Sequence, residues 1–200
     1  MCIRDRLLLF IVCLAIQATA QYQFTPEVKV ACSDVKNQGK TGTCWSFSTI
    51  SFLESELMRM GKQSHDLSEM FIVRNTYKDK AQNYLLRQGK ANYSEGSLSH
   101  DVMRVYKKHG IVPEAIYSGK SKPDTIHNHS KLVGSTKKLL DTWLKNKKNL
   151  GDWRSKYETA LAEHLGSVGE EFTYLDKRYS PTTFANSLGI NPDDLSLIHI

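Results

Sequence analysis

The stretch Gln38-Gly39-Lys40-Thr41-Gly42-Thr43-Cys44-Trp45-Ser46-Phe47 constrains this chain more than any other. It sets a cysteine six residues after a glutamine, across a loop with two glycines, at the head of an amphipathic run. Ile50, Leu53, Leu57 and Met60 recur at helical spacing and Gly61 follows as a stop, so a helix is expected from Cys44 to about Met60. Thr43 is expected to cap it, which places Cys44 in a first turn whose backbone N–H groups lack helical partners. A thiol with a solution pKa near ~8.5 ionises more readily in that position. Those N–H groups, with the Gln38 amide, are placed to hold the oxyanion of a tetrahedral intermediate. Gly39 and Gly42 let the loop fold back and bring Gln38 beside Cys44. The competing reading, a buried structural thiol, leaves the glutamine and glycine spacing unexplained.

The two ends need separate treatment. Met1-Cys2-Ile3-Arg4-Asp5-Arg6 can be written as the codons ATG TGT ATA AGA GAC AG, and Leu195-Ser196-Leu197-Ile198-His199-Ile200 as CTG TCT CTT ATA CAC ATC. The second string is the reverse complement of the first apart from its final base. Residues 1–6 and 195–200 are therefore expected to be translated adapter DNA, with both true termini lying elsewhere. Residues 7–20 (LLLFIVCLAIQATA) form an apolar run closed by Ala18-Thr19-Ala20. That run is shorter than the ~20 residues a bilayer span takes, and reads as a signal peptide cut after Ala20. An exported protein, periplasmic or secreted and without a membrane anchor after cleavage, is the expectation.

Removing these ends leaves Cys32 and Cys44, too few for a disulfide framework, and both are expected to be reduced. No CxxC pair suggests zinc, His127-Asn128-His129 reads as an ordinary polar loop, and neither a metal nor another cofactor is expected. The formal charge is +6, with much of the excess in 131–156. Solvated helix faces explain that stripe better than nucleic acid does, since no aromatic-interleaved motif accompanies it.

Beyond the first helix, Asp66-Leu67-Ser68-Glu69 opens another, with Ser68 as its cap. Glu95-Gly96-Ser97 precedes an amphipathic helix expected over Leu98–His109, with Gly110 as a left-handed cap and Pro113 preventing continuation. Helices are also expected over Leu132–Trp143 and Trp153–Leu165, then a short extended stretch at Phe172-Thr173-Tyr174. A further helix starts from Ser180 or Thr182.

The cysteine stretch resembles the active-site segment of papain-like cysteine peptidases, Q-G-x-x-G-x-C-W-[SA]-F, at every fixed position. The resemblance implies Cys44 as nucleophile, Gln38 as oxyanion-hole residue, and Trp45 and Phe47 as packing for the helix. Glu95-Gly96-Ser97 through Pro113 is similar to a second segment of that family, in which paired glycines receive the substrate backbone. Gly96 matches the first, and Ser97 replaces the second. Residues Ala160–Tyr174 (A-x-x-x-H-L-G-x-x-x-E-E-F-T-Y) and Y-S-P-x-x-F at 179–184 resemble the helical insert of the bleomycin hydrolase and aminopeptidase C branch. The implied fold is α+β and papain-like, represented here by its mostly helical left half (21–120) and a helical insertion (121–194). The implied activity is thiol-dependent aminopeptidase hydrolysis of a peptide substrate by a self-associating, typically hexameric, enzyme.

Such a mechanism needs a histidine base, placed about 130–150 residues after the cysteine in simple members. No histidine lies within 174–194, and His164 sits in a helical context. His65, His100 and His109 read as ordinary surface residues. The base and its asparagine partner are expected beyond residue 194, leaving the 200-residue chain inactive by itself. A catalytically dead exported binding protein, or less plausibly a basic nucleic-acid-binding module, is the alternative.

Overall fold

The computed structural model describes residues 24–120, 126–146 and 150–195. The segments read as adapter (1–6) and signal (7–20) lie outside these residues, as do 196–200. The chain divides after Val30 into two units. Of the first, 24–30 are described; they form neither helix nor strand and are exposed. From Ala31 on, the described residues hold six α-helices and one antiparallel pair of short strands. The α+β expectation, dominated by helix, is met.

Helix α1 is Cys44–Arg59. Trp45, Ser46, Thr49, Ile50, Leu53, Glu54 and Leu57 are buried, a stripe with the 3–4-residue recurrence of one helix face. Met60, expected on that face, is instead the C-cap and 42% exposed. Helix α2, Glu69–Leu86, is the centre of the molecule: every residue from Glu69 to Tyr77 is buried, all round the helix. It packs against α1, against α3 (Ser99–His109), and against α4 (Ser130–Lys145) and α5 (Trp153–Leu165). Ser68 caps α2 as expected, accepting the Phe71 N–H at 3.1 Å while its hydroxyl donates to the Tyr117 carbonyl. A buried guanidinium must be satisfied in such a helix. Arg74 donates to Glu158 at 2.6 Å and to the Gly166 carbonyl at 2.8 Å, tying α2 to the middle and to the C-cap of α5.

The α4–α5 pair shares the α1–α3 core. Leu132, Leu140, Trp143, Tyr157, Leu161 and Leu165 face it, and the Tyr157 hydroxyl reaches the Tyr77 carbonyl of α2 at 3.2 Å. Strands β1 (Phe172–Tyr174) and β2 (Lys177–Tyr179) pair with Phe172 opposite Tyr179. Leu175 and Asp176 between them both have positive φ, the conformation of a tight hairpin turn. Helix α6 (Pro181–Leu188) starts with Pro181 at its first position and Ser180 as N-cap. Its Phe184 is met edge-on by His65, Tyr174 and Tyr179.

Gly110 departs from its expected form. It has positive φ (77°), but ψ is −155°, so it is not a left-handed cap. A Cβ there would sit 2.2 Å from the Pro181 carbonyl oxygen, and the Ile111 N–H bonds that same oxygen at 3.2 Å. Close approach of α6 therefore dictates the glycine.

Candidate active site

The loop before α1 is knitted by its own polar groups. The Gln38 amide donates to the Thr41 carbonyl at 2.6 Å, and the Thr41 hydroxyl returns to the Gln38 carbonyl at 2.9 Å. That pairing curls the chain between the glutamine and the cysteine, and leaves Gln38 a second amide hydrogen. Gly39 has φ 66°, and a Cβ on it would lie 2.5 Å from the His127 carbonyl oxygen. The adjacent Lys40 pairs with the 127–129 segment: Lys40 N–H to His127 carbonyl at 2.7 Å, His129 N–H to Lys40 carbonyl at 3.3 Å.

Thr43 occupies the N-cap position of α1, but its side chain caps nothing. Its hydroxyl is paired with that of Thr41 instead, a correction to the expected cap. The Thr43 carbonyl still accepts the Ser46 N–H at 2.9 Å, so the helix begins at Cys44 as expected. Cys44 is exposed and free, and its sulfur meets no hydrogen-bond partner among the described residues. With no side-chain cap at Thr43, Cys44 stands at the end of the helix where a negative charge is favoured.

A second loop is brought against this one. The Glu95 carboxylate accepts the Gly42 N–H, and the Glu95 carbonyl accepts the indole N–H of buried Trp45 at 3.1 Å. The Lys80 ammonium donates to the Ser94 carbonyl at 2.8 Å and also to that of Gly96. Gly96 is exposed, and a Cβ on it would meet nothing within 4 Å. Open space, and not crowding by this chain, lies on that side. The hydroxyl of Ser97 is tied to Asp101, which also accepts the Leu98 N–H at 3.2 Å and so caps α3. Burial opposes ionisation of Asp101, but the Ser97 and Leu98 hydrogen bonds and Arg104 outweigh it and hold its carboxyl below the usual range. Gln38 and Cys44 thus belong to one loop–helix junction, and Gly96 and Ser97 to a loop bonded to it.

Beneath the junction lies an ionic cluster. The Lys36 ammonium is 2.7 Å from Glu54, 2.8 Å from Glu69 and 2.6 Å from Asp66. Glu54, 1% exposed, also accepts the Leu67 N–H at 2.8 Å and the Ser33 hydroxyl. Burial disfavours the Lys36 charge, and the three carboxylates outweigh it, raising its pKa. Burial likewise pushes Glu69 up, against Lys36. Glu114, whose N–H bonds the Asp66 carbonyl at 2.8 Å, is pushed up to about 7 by burial and by neighbouring Glu69 and Asp66. The cluster fixes the segment before Gln38 to α1 and α2. Its members are separated in sequence by loops and a helix, and no local pattern announces them.

None of the described histidines bonds Cys44. His65 is half-buried between Tyr174 and Phe184, a correction to its reading as a surface residue. His109 is half-buried too, and its Nε2 lies buried without a partner. His100 is exposed beside Asp101 at 3.5 Å, and His164 meets the Ser135 hydroxyl at 2.9 Å. The H-x-H stretch is not the exposed loop its composition suggests. His127 is 8% exposed and packs edge-on against Phe47, and His129 is 2% exposed against Tyr77. Burial pushes both imidazoles down to about 4.

A family model described as papain family cysteine protease matches residues 21–175. A cathepsin L-like peptidase of Aedes aegypti is 32% identical over 156 residues, covering 78% of this chain and 40% of the relative. A cathepsin L-like protein of Caenorhabditis elegans is 32% identical over 111 residues, 55% of this chain and 30% of the relative. The chain therefore spans less than half the length of either. Among solved structures, PepW from Lactobacillus rhamnosis HN001 superposes with TM-score 0.58 at 19% identity, over 95% of this chain and 53% of that one.

Proposed function

The chain belongs to the papain family of cysteine proteases and has its fold, and from that premise we propose that the whole protein cleaves peptide bonds by acyl transfer through Cys44. The observation that carries the reading is an exposed, unpartnered thiol at the first position of α1, in the loop that Gln38 closes. The Cys44 thiolate attacks the substrate carbonyl, and the Gln38 amide and the Cys44 N–H receive the oxyanion. A histidine outside residues 24–195 takes the thiol proton and delivers it to the leaving amine. Water then releases the acid and restores the thiol. Gly96 and Ser97 lie in the loop bonded to this loop–helix junction, with the open side of Gly96 available to a peptide backbone. On this reading the 200-residue chain alone hydrolyses nothing.

The finer assignment is to the bleomycin hydrolase and aminopeptidase C branch, with removal of amino-terminal residues, a hexameric assembly and export after signal cleavage. What supports the branch is the α4–α5 insertion and the Glu170–Tyr174 motif at the hairpin. The test is hydrolysis of amino-terminal fluorogenic peptides by the full-length protein beside Cys44→Ala. Thiol-dependent release lost in Cys44→Ala is the expected result. Release that persists in the variant, or none from a folded full-length protein, overturns the peptidase reading; the second outcome moves the assignment to a dead-enzyme binding protein.

A further inference from the structure

We propose that Glu95 is a positioning residue for Cys44, its side chain and main chain holding the residues on both sides of the thiol. The inference rests on the assignment of Cys44 as nucleophile. The carboxylate accepts the N–H of Gly42, two residues before Cys44, and the carbonyl accepts the indole N–H of Trp45, one residue after it. A side chain and a backbone oxygen of one residue thus bracket the first turn of α1. The clamp is itself immobilised. Lys80 holds the carbonyls on either side, Ser94 and Gly96, and Ser97 is bonded to the Asp101 cap of α3. All three successive carbonyls, 94 to 96, are engaged by side-chain donors, so the Glu95 side chain leaves a fixed base.

Two physical consequences follow. The Gly42 N–H lies in a loop that has no secondary structure to satisfy it, and Glu95 is its acceptor. Without that bond Gly42 has the rotational freedom of an unpinned glycine at the position that aims the nucleophile. The acceptor is also an anion beside the positive end of α1. It works against the helix in stabilising a negative sulfur. Glu95 therefore combines geometric order at Cys44 with a restraint on its reactivity, and the two effects separate by substitution. Gln keeps an acceptor oxygen and removes the charge, whereas Ala removes both.

The experiment uses the full-length protein, with Cys32 as internal reference. Alkylation of Cys44 and Cys32 by iodoacetamide at pH 6.5 is followed by peptide mass spectrometry, alongside kcat, KM and thermal melting. For Glu95→Gln we expect Cys44 alkylation two- to tenfold faster with Cys32 unchanged, and kcat within threefold of wild type. For Glu95→Ala we expect kcat at least tenfold lower at similar KM, restored by Gln at the same position. Gly42→Ala, whose Cβ would lie 3.1 Å from that of Glu95, should lower kcat in the same way by pushing the two loops apart. Unchanged Cys44 alkylation in Glu95→Gln, or full kcat in Glu95→Ala, overturns the inference. If no variant and no wild type hydrolyses peptide while Cys44 alkylation still responds to Glu95→Gln, the peptidase reading fails and the clamp stands.

Discussion

Helix α1 carries its two most consequential side chains ten residues apart, and treats them in opposite ways. Cys44 at the amino end is exposed and unbonded, while Glu54 is 1% exposed and bonded to Lys36, Leu67 and Ser33. The thiol is free while its neighbours bond elsewhere: Gly42 and Trp45 to Glu95 and Thr43 to Thr41, with Gln38 keeping one amide hydrogen beyond its bond to the Thr41 carbonyl. The carboxylate is the reverse case, a charge that survives burial only through its partners. One end of the helix should thus answer to chemistry and the other to stability.

Substitution at the two ends sharpens this contrast. Cys44→Ala should abolish peptide hydrolysis in the full-length protein and change its stability by less than about 1 kcal/mol, since the thiol is exposed and bonds none of the described residues. Lys36→Met should do the opposite kind of damage. It strands Glu54 and Glu69 in the interior, and urea unfolding should show a loss of about 3–5 kcal/mol. Stability within about 1 kcal/mol of wild type would break the comparison, because Glu54 would then need no counter-charge.

Acid provides a third probe, through groups outside α1. His127 and His129 titrate near 4 when folded and near 6.5 when unfolded, so the unfolded chain binds more protons between those values. Their contribution to stability is complete above pH 6.5 and is lost as pH falls towards 4. Glu114, raised to about 7, runs the other way: its contribution is complete below about 4.5 and lost as pH rises through 7. Burial also lowers His65 and His109 and raises Glu69, so below pH 6.5 the depressed histidines outnumber the raised carboxyls and acidification should lower stability, read by denaturant titration. Glu114→Gln removes part of the opposing contribution and should enlarge that loss. A last substitution is Gly110→Ala, which forces a side chain into positive φ and within 2.2 Å of the Pro181 carbonyl oxygen. It should cost at least about 3 kcal/mol, read from the urea midpoint.

Much of this was legible where a local rule acts alone. α5 runs from Trp153 to Leu165 as its four-residue recurrence predicts, and α1 begins at Cys44 and ends beside Gly61. Ser68 caps α2 because nothing nearby competes for its hydroxyl as a cap acceptor. Thr43 fails to cap because Thr41 is within reach of it, a competition that propensity does not weigh. Strand β2 was missed because Lys177-Arg178-Tyr179 shows no buried–exposed alternation, and its turn, Leu175-Asp176, has no glycine. The burial of His127 and His129 follows from Lys40 pairing with their backbone, and Lys36 reaches partners at 54, 66 and 69. Glu95 looks like any acidic loop residue until the Gly42 N–H is seen on it. Contacts of that span leave no periodic trace in a single sequence.

The pairing of Lys40 with 127–129 bears on how proteins of this kind diversify. The backbone that leads into α4 is stitched to the residue two places after Gln38, and Gly39 is fixed by the carbonyl of His127. The α4–α5 segment is therefore not an appendage that can be lengthened, trimmed or exchanged while the loop before α1 stays as it is. Grafting a shorter crossover in its place removes the floor under Gly39 and Lys40, so changes in the two segments must be made, and inherited, as a pair.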